Sequence, residues 1–213
     1  MHEQAIDYGI QLSRKHLDLF DAYLNELIEW NSRMNLTGIV ERGRMILELF
    51  LDSLMPVPYI PSKGRMLDAG SGAGFPAIVI KIFLPDLKLY MVEANSKKVS
   101  FLKQVIRLLK LNEVEVINGR IETMKDTLYP EGYDIISSRA LANLNQIISW
   151  CAPFLADEGR LLYFSGSRVD ENLRNCEYLM KDHNLTIADL IPYHLAGMRD
   201  NRNIVILKKE MLK

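Results

Sequence analysis

Three alternate glycines, in Asp68-Ala69-Gly70-Ser71-Gly72-Ala73-Gly74, stand directly behind the apolar run Arg65-Met66-Leu67 and ahead of Ala77-Ile78-Val79-Ile80. A strand that runs into such a loop and out into a helix lets the backbone turn tightly and approach a ligand where a side chain would collide. That context separates a ligand-binding loop from an ordinary glycine-rich turn.

The chain beyond residue 61 repeats this alternation. Short apolar runs at 65–68, 87–93, 114–117, 133–137, 159–164 and 203–207 predict strands, and stretches at 75–83, 96–111 and 143–155 predict helices. The pattern predicts an α/β fold with a mainly parallel, doubly wound sheet, whose ligands bind at the carboxyl ends of the strands. Before residue 61 the periodicity differs. Ile6, Ile10, Leu17, Phe20, Leu24, Leu27 and Ile28 recur at helical spacing over 6–28, and Met45, Ile46, Leu49, Phe50 and Leu54 form a second amphipathic run over 44–54. Pro56, Pro58 and Pro61 end it, because proline lacks the amide hydrogen. We therefore expect an N-terminal helical extension over 1–60 and a cofactor-binding domain over 61–213, packed as one compact unit.

Composition narrows the class. With 213 residues, 48% hydrophobic and 25% charged, the chain suits one folded unit rather than a disordered segment. No apolar run reaches the ~20 residues a membrane span needs, and Met1-His2-Glu3-Gln4-Ala5-Ile6-Asp7 lacks the basic flank and apolar stretch of a secretion signal. A cytoplasmic protein without a membrane partner is expected. Cys151 and Cys176 lie far apart and the four histidines lack ligand spacing, so free thiols and no metal are expected. A net charge of -1 means that any nucleic-acid binding rests on a local basic patch.

Two details choose among nucleotide-like cofactors. A dinucleotide fingerprint, G-x-G-x-x-G, wants its third glycine two residues further than Gly72 plus one, at the position held by Phe75. The Asp68 carboxylate at the strand's end repels a pyrophosphate but accepts hydrogen bonds, through water, from an ammonium group such as that of methionine. Both details favour S-adenosylmethionine over NAD. Glu93 ends the second strand, where a carboxylate accepts hydrogen bonds from the ribose hydroxyls; a solvated strand-end glutamate is the plainer alternative. Gly119-Arg120-Ile121-Glu122 follows the third strand, where backbone groups and a carboxylate meet an adenine edge; an ordinary helix N-terminus explains it equally well.

Asp68 through Pro76, Glu93 with Lys97-Lys98 and Phe101-Leu102, Gly119-Arg120-Ile121-Glu122, and Ser138-Arg139-Ala140 together resemble the glucose-inhibited division protein B family, the guanine-N7 methyltransferases of small-subunit ribosomal RNA. The likeness covers nearly the whole chain, since Trp30-Asn31, Asn35-Leu36-Thr37 and Leu51-Asp52-Ser53-Leu54 match the family's helical N-terminal part. It implies a Rossmann-like class I S-adenosylmethionine-dependent methyltransferase, cofactor contacts at Gly70, Phe75, Ile121, Glu122 and Arg139, and small-subunit ribosomal RNA or an assembled small ribosomal subunit as partner. The chain departs from the family pattern at two places. Ser165-Gly166-Ser167 stands where the family commonly has Lys-Gly, and Phe50 stands where a histidine is often found.

If guanine N7 is the target, its lone pair is free at neutral pH, and no catalytic acid or base is required. Alignment of nucleophile, methyl and sulfonium then carries the reaction, an effect that contributes ~7–11 kcal/mol; Arg139 and Asn35 are the positioning candidates. Asn31 and Asn35 offer acceptors to the guanine edge, although helix termination accounts for them as well. Trp30 and Phe75 are candidates to stack on a splayed base. Arg33, Arg42, Arg44, Lys97, Lys98, Lys103, Arg168, Arg199 and Arg202 are candidates for phosphate contacts. Rival readings are a methyltransferase of a small molecule or protein, with the N-terminal helices as a lid, and a cofactor-binding ribosome-assembly factor without turnover, suggested by Ser165. A monomer is expected.

Overall fold

The structure is a computed structural model, described here for residues 5–124, 128, 130–198 and 201–211. Its strands are β1 (Gly64–Ala69), β2 (Leu87–Glu93), β3 (Val114–Asn118), β4 (Tyr133–Ser138), β5 (Leu155–Ser165), β6 (Leu185–Tyr193) and β7 (Arg202–Lys209). They form one sheet in the order β3-β2-β1-β4-β5-β7-β6. Strands β1 to β5 pair in parallel, while β7 runs antiparallel to both β5 and β6. The winding reverses between β1 and β4, the place where open α/β sheets form their ligand crevice.

The principal helices are α1 (Arg14–Met34), α2 (Ala77–Phe83), α3 (Ser96–Leu109), α4 (Leu144–Cys151) and α5 (Val169–Asp182). Side chains of a strand alternate between faces, and the two apolar clusters follow that alternation residue by residue. Met66, Ile135, Leu162 and Ile204 join the cluster of Phe20, Tyr23, Leu24 and Phe50 from the N-terminal segment. Their neighbours Leu67, Ile136, Leu161 and Val205 join the cluster of Ile147, Ile148, Cys176 and Met180 from α4 and α5. The N-terminal helices, together with α2 and α3, thus form one of the two layers that cover the sheet, and share a core with it.

Several expectations need correction. The helix expected over 6–28 is broken: the chain turns at Gly9, where φ is +72°, and helix α1 starts at Arg14. Ser13 caps it, with Ser13 Oγ accepting from the His16 amide at 3.2 Å and His16 Nδ1 accepting from the Ser13 amide at 3.3 Å. Asn35 closes α1 in the left-handed region. The run expected at 44–54 is helical but not uniform: a short α-helix, Arg42–Met45, widens into a π-helical segment, Ile46–Leu51, before an α-turn, Asp52–Leu54. The helix expected over 143–155 ends at Cys151, because Pro153 allows only a 3-10 turn before β5 begins at Leu155. Helix α5 and strand β6 were not foreseen. Val169, Leu173, Cys176 and Met180 do carry helical spacing, whereas β6 is an edge strand containing Pro192, with a weak apolar alternation.

Candidate functional site

The glycine loop leaves β1 and folds back over the end of β2: the amides of Gly70 and Ser71 both donate to the carbonyl of Val92, at 2.9 and 3.1 Å. Gly70, Gly72 and Gly74 all adopt positive φ. At Gly74 a Cβ would come within 2.6 Å of Tyr23 Oη and Ile78 Cδ1, so protein packing alone demands glycine. At Gly72 the requirement is different. Its φ is +58° and the nearest atom to a Cβ would be the Gly70 carbonyl at 3.9 Å, so the space beside it is open. A side chain would therefore collide with protein at Gly74 but not at Gly72, where open space is left for a ligand. Tyr23 of α1 ties the loop down by donating its hydroxyl to the Ala73 carbonyl, and its ring stacks on Phe75 at 5.1 Å. Phe50 packs edge-on against both rings, so the position where the family often has histidine is used here to hold the loop.

Glu93 spans the mouth of this loop. Its Oε2 accepts from the Gly72 amide at 2.8 Å and its Oε1 from the Asn95 amide at 2.7 Å. A carboxylate has about four acceptor sites, so both oxygens retain capacity for hydroxyl donors. A cavity of about 200 Å³ opens beside it, lined by Gly70, Val92, Glu93, Ala94, Gly119, Arg120, Ile121, Glu122, Leu141 and Trp150. It lies at the carboxyl ends of β1, β2 and β3. Among the larger cavities, two of about 440 and 540 Å³ lie against Tyr59, Asp134 and Gly159 and against Gly132, Phe154 and Lys209. Those residues belong to the opposite end of the parallel strands, away from the crevice.

Asp68 and Ser137 pair side by side on β1 and β4, as do Ala69 and Ser138. Asp68 is buried, its Oδ1 accepting from Ser137 Oγ at 2.5 Å. Burial pushes its carboxyl up to about 6, against the Ser137 hydrogen bond and the nearby Arg139 charge. Asp68 Oδ2 and Ser138 Oγ are both buried without a hydrogen-bond partner. By the strand register the two side chains leave opposite faces of the sheet, and it is the orphaned Asp68 Oδ2, at the end of β1 where the glycine loop begins, that marks a place for a polar group of a ligand. The ammonium of S-adenosylmethionine suits Asp68, and Glu93 suits its ribose; the residues fit the cofactor.

Arg139 stands elsewhere than expected. It does not line the cavity but reaches the N-terminal segment, with Nη2 donating to the Glu48 carbonyl and Nη1 3.3 Å from Asp52 Oδ2. Phe164 lies under its guanidinium, 5.8 Å from ring centroid to Cζ. Asp52 is 1% exposed, and its other oxygen, Oδ1, accepts from Arg202 Nη1 at 2.9 Å and from the Tyr193 hydroxyl at 2.6 Å. Burial first, and then the Asp52 charge, raise the Tyr193 hydroxyl, which keeps its proton. Glu48 adds ion pairs to Arg44 at 2.6 Å and to Arg202 at 3.6 Å.

Of the residues expected from sequence, Gly70, Glu93, Ile121 and Glu122 thus meet at one cavity. Phe75 is instead part of the aromatic packing with Tyr23 and Phe50. Asn31 is buried and its Oδ1 accepts from the Thr37 amide at 2.8 Å, so it braces the turn after α1 instead of facing a base. Trp30 donates to Glu26 and packs beside Phe101. Asn35, Arg33 and Lys97 are exposed and Lys98 half-buried, with Arg33 paired to Glu29 at 3.1 Å. Arg202 joins Arg139; Arg199 lies outside the described residues. Leu141 and Trp150 were missed. Trp150 sits among the core positions Ile147, Ile148 and Cys151 of α4 and reads as one of them, while Leu141 directly follows the Ser-Arg-Ala segment.

The doubly wound sheet, the glycine loop and the acidic residue ending β2 define a class I S-adenosylmethionine-dependent methyltransferase. The fold agrees with solved structures: precorrin-6y C5,15-methyltransferase from Geobacter metallireducens has a TM-score of 0.58 at 17% identity, covering 77% of this chain and 88% of that one. TYW2 from M. jannaschii, in complex with AdoMet, has a TM-score of 0.62 at 15% identity, covering 76% and 75%. Residues 16–205 match the family model GidB, rRNA small subunit methyltransferase G. Curated relatives bearing the name Ribosomal RNA small subunit methyltransferase G include those of Thermoanaerobacter pseudethanolicus, 35% identical over 97% of this chain and 88% of the relative, and Staphylococcus saprophyticus, 32% identical over 97% and 87%. The chain belongs to the rRNA small subunit methyltransferase G family, and it is an enzyme.

Proposed function

We propose that the chain transfers the methyl group of S-adenosylmethionine to N7 of a guanine in small-subunit (16S) ribosomal RNA. Family membership supports the RNA target. The observation that carries the cofactor half of the reading is the unpartnered buried oxygen Asp68 Oδ2 at the start of the glycine loop. In this reading Asp68 accepts from the methionine ammonium, Glu93 from the ribose hydroxyls, and Glu122 from the adenine amine, while Ile121 and Trp150 supply the apolar walls for the ring. Gly70, Gly72 and Gly74 let the loop backbone close on the methionine end, and Phe75 with Tyr23 keeps the loop in shape. The cofactor supplies a methyl group on a positively charged sulfur, which leaves as a neutral thioether.

No side chain has to remove a proton, because guanine N7 carries a free lone pair. The chain's contribution is alignment and exclusion of water, worth ~7–11 kcal/mol where geometry is favourable. Residues 1–60 form the RNA-facing side of a unit whose cofactor part is 61–213, with Asn35, Arg33, Lys97, Lys98, Arg199 and Arg202 as candidate RNA contacts and Arg139 between the two.

The test is transfer of labelled methyl from S-adenosylmethionine to small ribosomal subunits purified from a strain lacking this gene, with the labelled nucleotide mapped. Label on a single guanine at N7 is the expected result. Cofactor binding without transfer to the subunits would refute the RNA reading.

A further inference from the structure

Asp52 is buried and bridges two arginines that are brought together from distant parts of the chain: Arg139, just past β4, and Arg202, at the start of β7. Its two oxygens are divided between them, Oδ2 facing Arg139 at 3.3 Å and Oδ1 accepting from Arg202 at 2.9 Å. The parallel strand β4 ends, and the antiparallel strand β7 begins, at the same edge of the sheet, the edge that carries the glycine loop. Ser137, two residues before Arg139, donates to Asp68 of that loop, so the arginine pair stands next to the cofactor site.

Stability does not explain such an array. Buried ion pairs are commonly replaceable by apolar residues without loss, so the desolvation of Asp52 needs another reason. Convergence supplies one: Arg139 and Arg202 both meet the single carboxylate of Asp52, while Glu48 pairs with Arg44 and Arg202. The side chains of Arg139 and Arg202 are 15% and 21% exposed, so both are largely enclosed yet not sealed from solvent. Backbone geometry supports the same arrangement. In the π-helical segment the Asp52 amide donates to the Leu47 carbonyl, one residue earlier than in an α-helix, and the Glu48 carbonyl receives Arg139 Nη2 instead.

We propose that Asp52 is a positioning residue that fixes Arg139 and Arg202 as a forked pair for the phosphate backbone next to the target nucleotide. Guanidinium forks match phosphate oxygens, and an arginine ordered in the free protein loses less freedom when RNA arrives. This inference rests on the RNA-substrate reading above.

The test uses the full-length protein with S-adenosylmethionine present and compares equilibrium binding to 16S ribosomal RNA with binding to an unrelated RNA of equal length. Asp52→Asn keeps size and removes the charge that holds the pair. Added positive charge alone would tighten binding to both RNAs in parallel. Loss of positioning instead lowers the ratio of the two affinities, by an expected tenfold or more, while the cofactor dissociation constant stays within twofold of wild type. An unchanged ratio, or parallel tightening, overturns the proposal. Should D52N fail to melt cooperatively, Arg202→Gln carries the test: the same loss of ratio is expected, largely restored by neither charge nor size alone in Arg202→Lys, and an unaltered ratio in R202Q overturns it. These readouts do not depend on turnover. Absent methyl transfer with a D52N effect present sinks the proposed reaction and keeps the array; normal transfer with no D52N effect sinks the array alone.

Discussion

On the β1 to β3 side of the sheet, the groups that meet at the cavity come from short stretches of chain, and the hydrogen bonds that set them are mostly made by backbone: Gly70 and Ser71 to Val92, Gly72 and Asn95 to Glu93. On the β4 to β7 side the groups are charged side chains, Arg139, Arg202, Glu48 and Asp52, gathered from distant positions, Asp52 and Arg202 being 150 residues apart. The first region recognises by the shape of the main chain, with one carboxylate across its mouth. The second has no shape of its own until three distant segments meet. The contrast suits their two ligands: a small cofactor of fixed form on one side, and on the other a polyanion whose phosphates are read as charge and geometry.

Variants on the cofactor side should therefore lower cofactor affinity and leave RNA affinity alone, the reverse of the Asp52 variant. The largest effect is expected from Gly72→Leu, which fills the open space and strains a position at φ +58°. A loss of S-adenosylmethionine affinity on the order of 100-fold is expected by calorimetry, equivalent to about 2.7 kcal/mol. Binding that survives within a few-fold would mean that the ligand does not pass beside Gly72. Glu93→Gln comes next. It weakens charge-assisted hydrogen bonds worth about 1.5–3 kcal/mol to hydroxyl donors, so a loss of roughly 10–100-fold should appear in the cofactor titration, with no change in RNA affinity.

The pH dependence sharpens the comparison further. The folded Asp68 carboxyl lies at about 6, above its ordinary value, and only the ionised form attracts an ammonium. Cofactor affinity should be full above pH 6 and fall as pH drops through it, by about tenfold at pH 5. In Asp68→Asn that dependence should vanish, leaving weak binding throughout; a wild-type profile flat from pH 7 to 5 would dissociate Asp68 from the ammonium. The same raised value means that ionised Asp68 costs folding stability above pH 6, a cost relieved as pH falls. Smallest is Tyr23→Phe. Leaving the Ala73 carbonyl without its buried donor costs about 1–3 kcal/mol, read as a lowered melting temperature with a modest loss of cofactor affinity. If that variant altered RNA affinity more than cofactor affinity, the division between the two regions would be wrong.

This division also decides what could be read from sequence. The glycine loop, Glu93 and Gly119-Arg120-Ile121-Glu122 each lie at the end of an apolar run, so strand periodicity alone placed them on one edge. The strands β1, β4, β5 and β7 were legible as apolar runs, whereas which residues face which core emerges only from the packed structure. Arg139 was found as a strand-end residue, yet its partners Asp52, Tyr193 and Arg202 share no spacing with it, and no local pattern links them. Strand β6 escaped because an edge strand buries little and tolerates Pro192. Asn31 misled for a related reason: a helix-terminal asparagine that braces the following turn has the same sequence signature as one that meets a base.

The sheet order carries a consequence in time. Strand β6 has β7 as its only neighbour, so it has no place in the sheet until the later strand is made. Asp52 waits still longer, since the register that sets Tyr193 beside Arg202 forms only with that last pairing. At synthesis rates of about 5–20 residues per second, the 150 residues from Asp52 to Arg202 take roughly 8–30 s to emerge. The segment that reads the cofactor is complete well before then. A nascent chain on its own ribosome would thus be able to acquire cofactor first and acquire its grip on ribosomal RNA last, which delays engagement of the very particle that makes it.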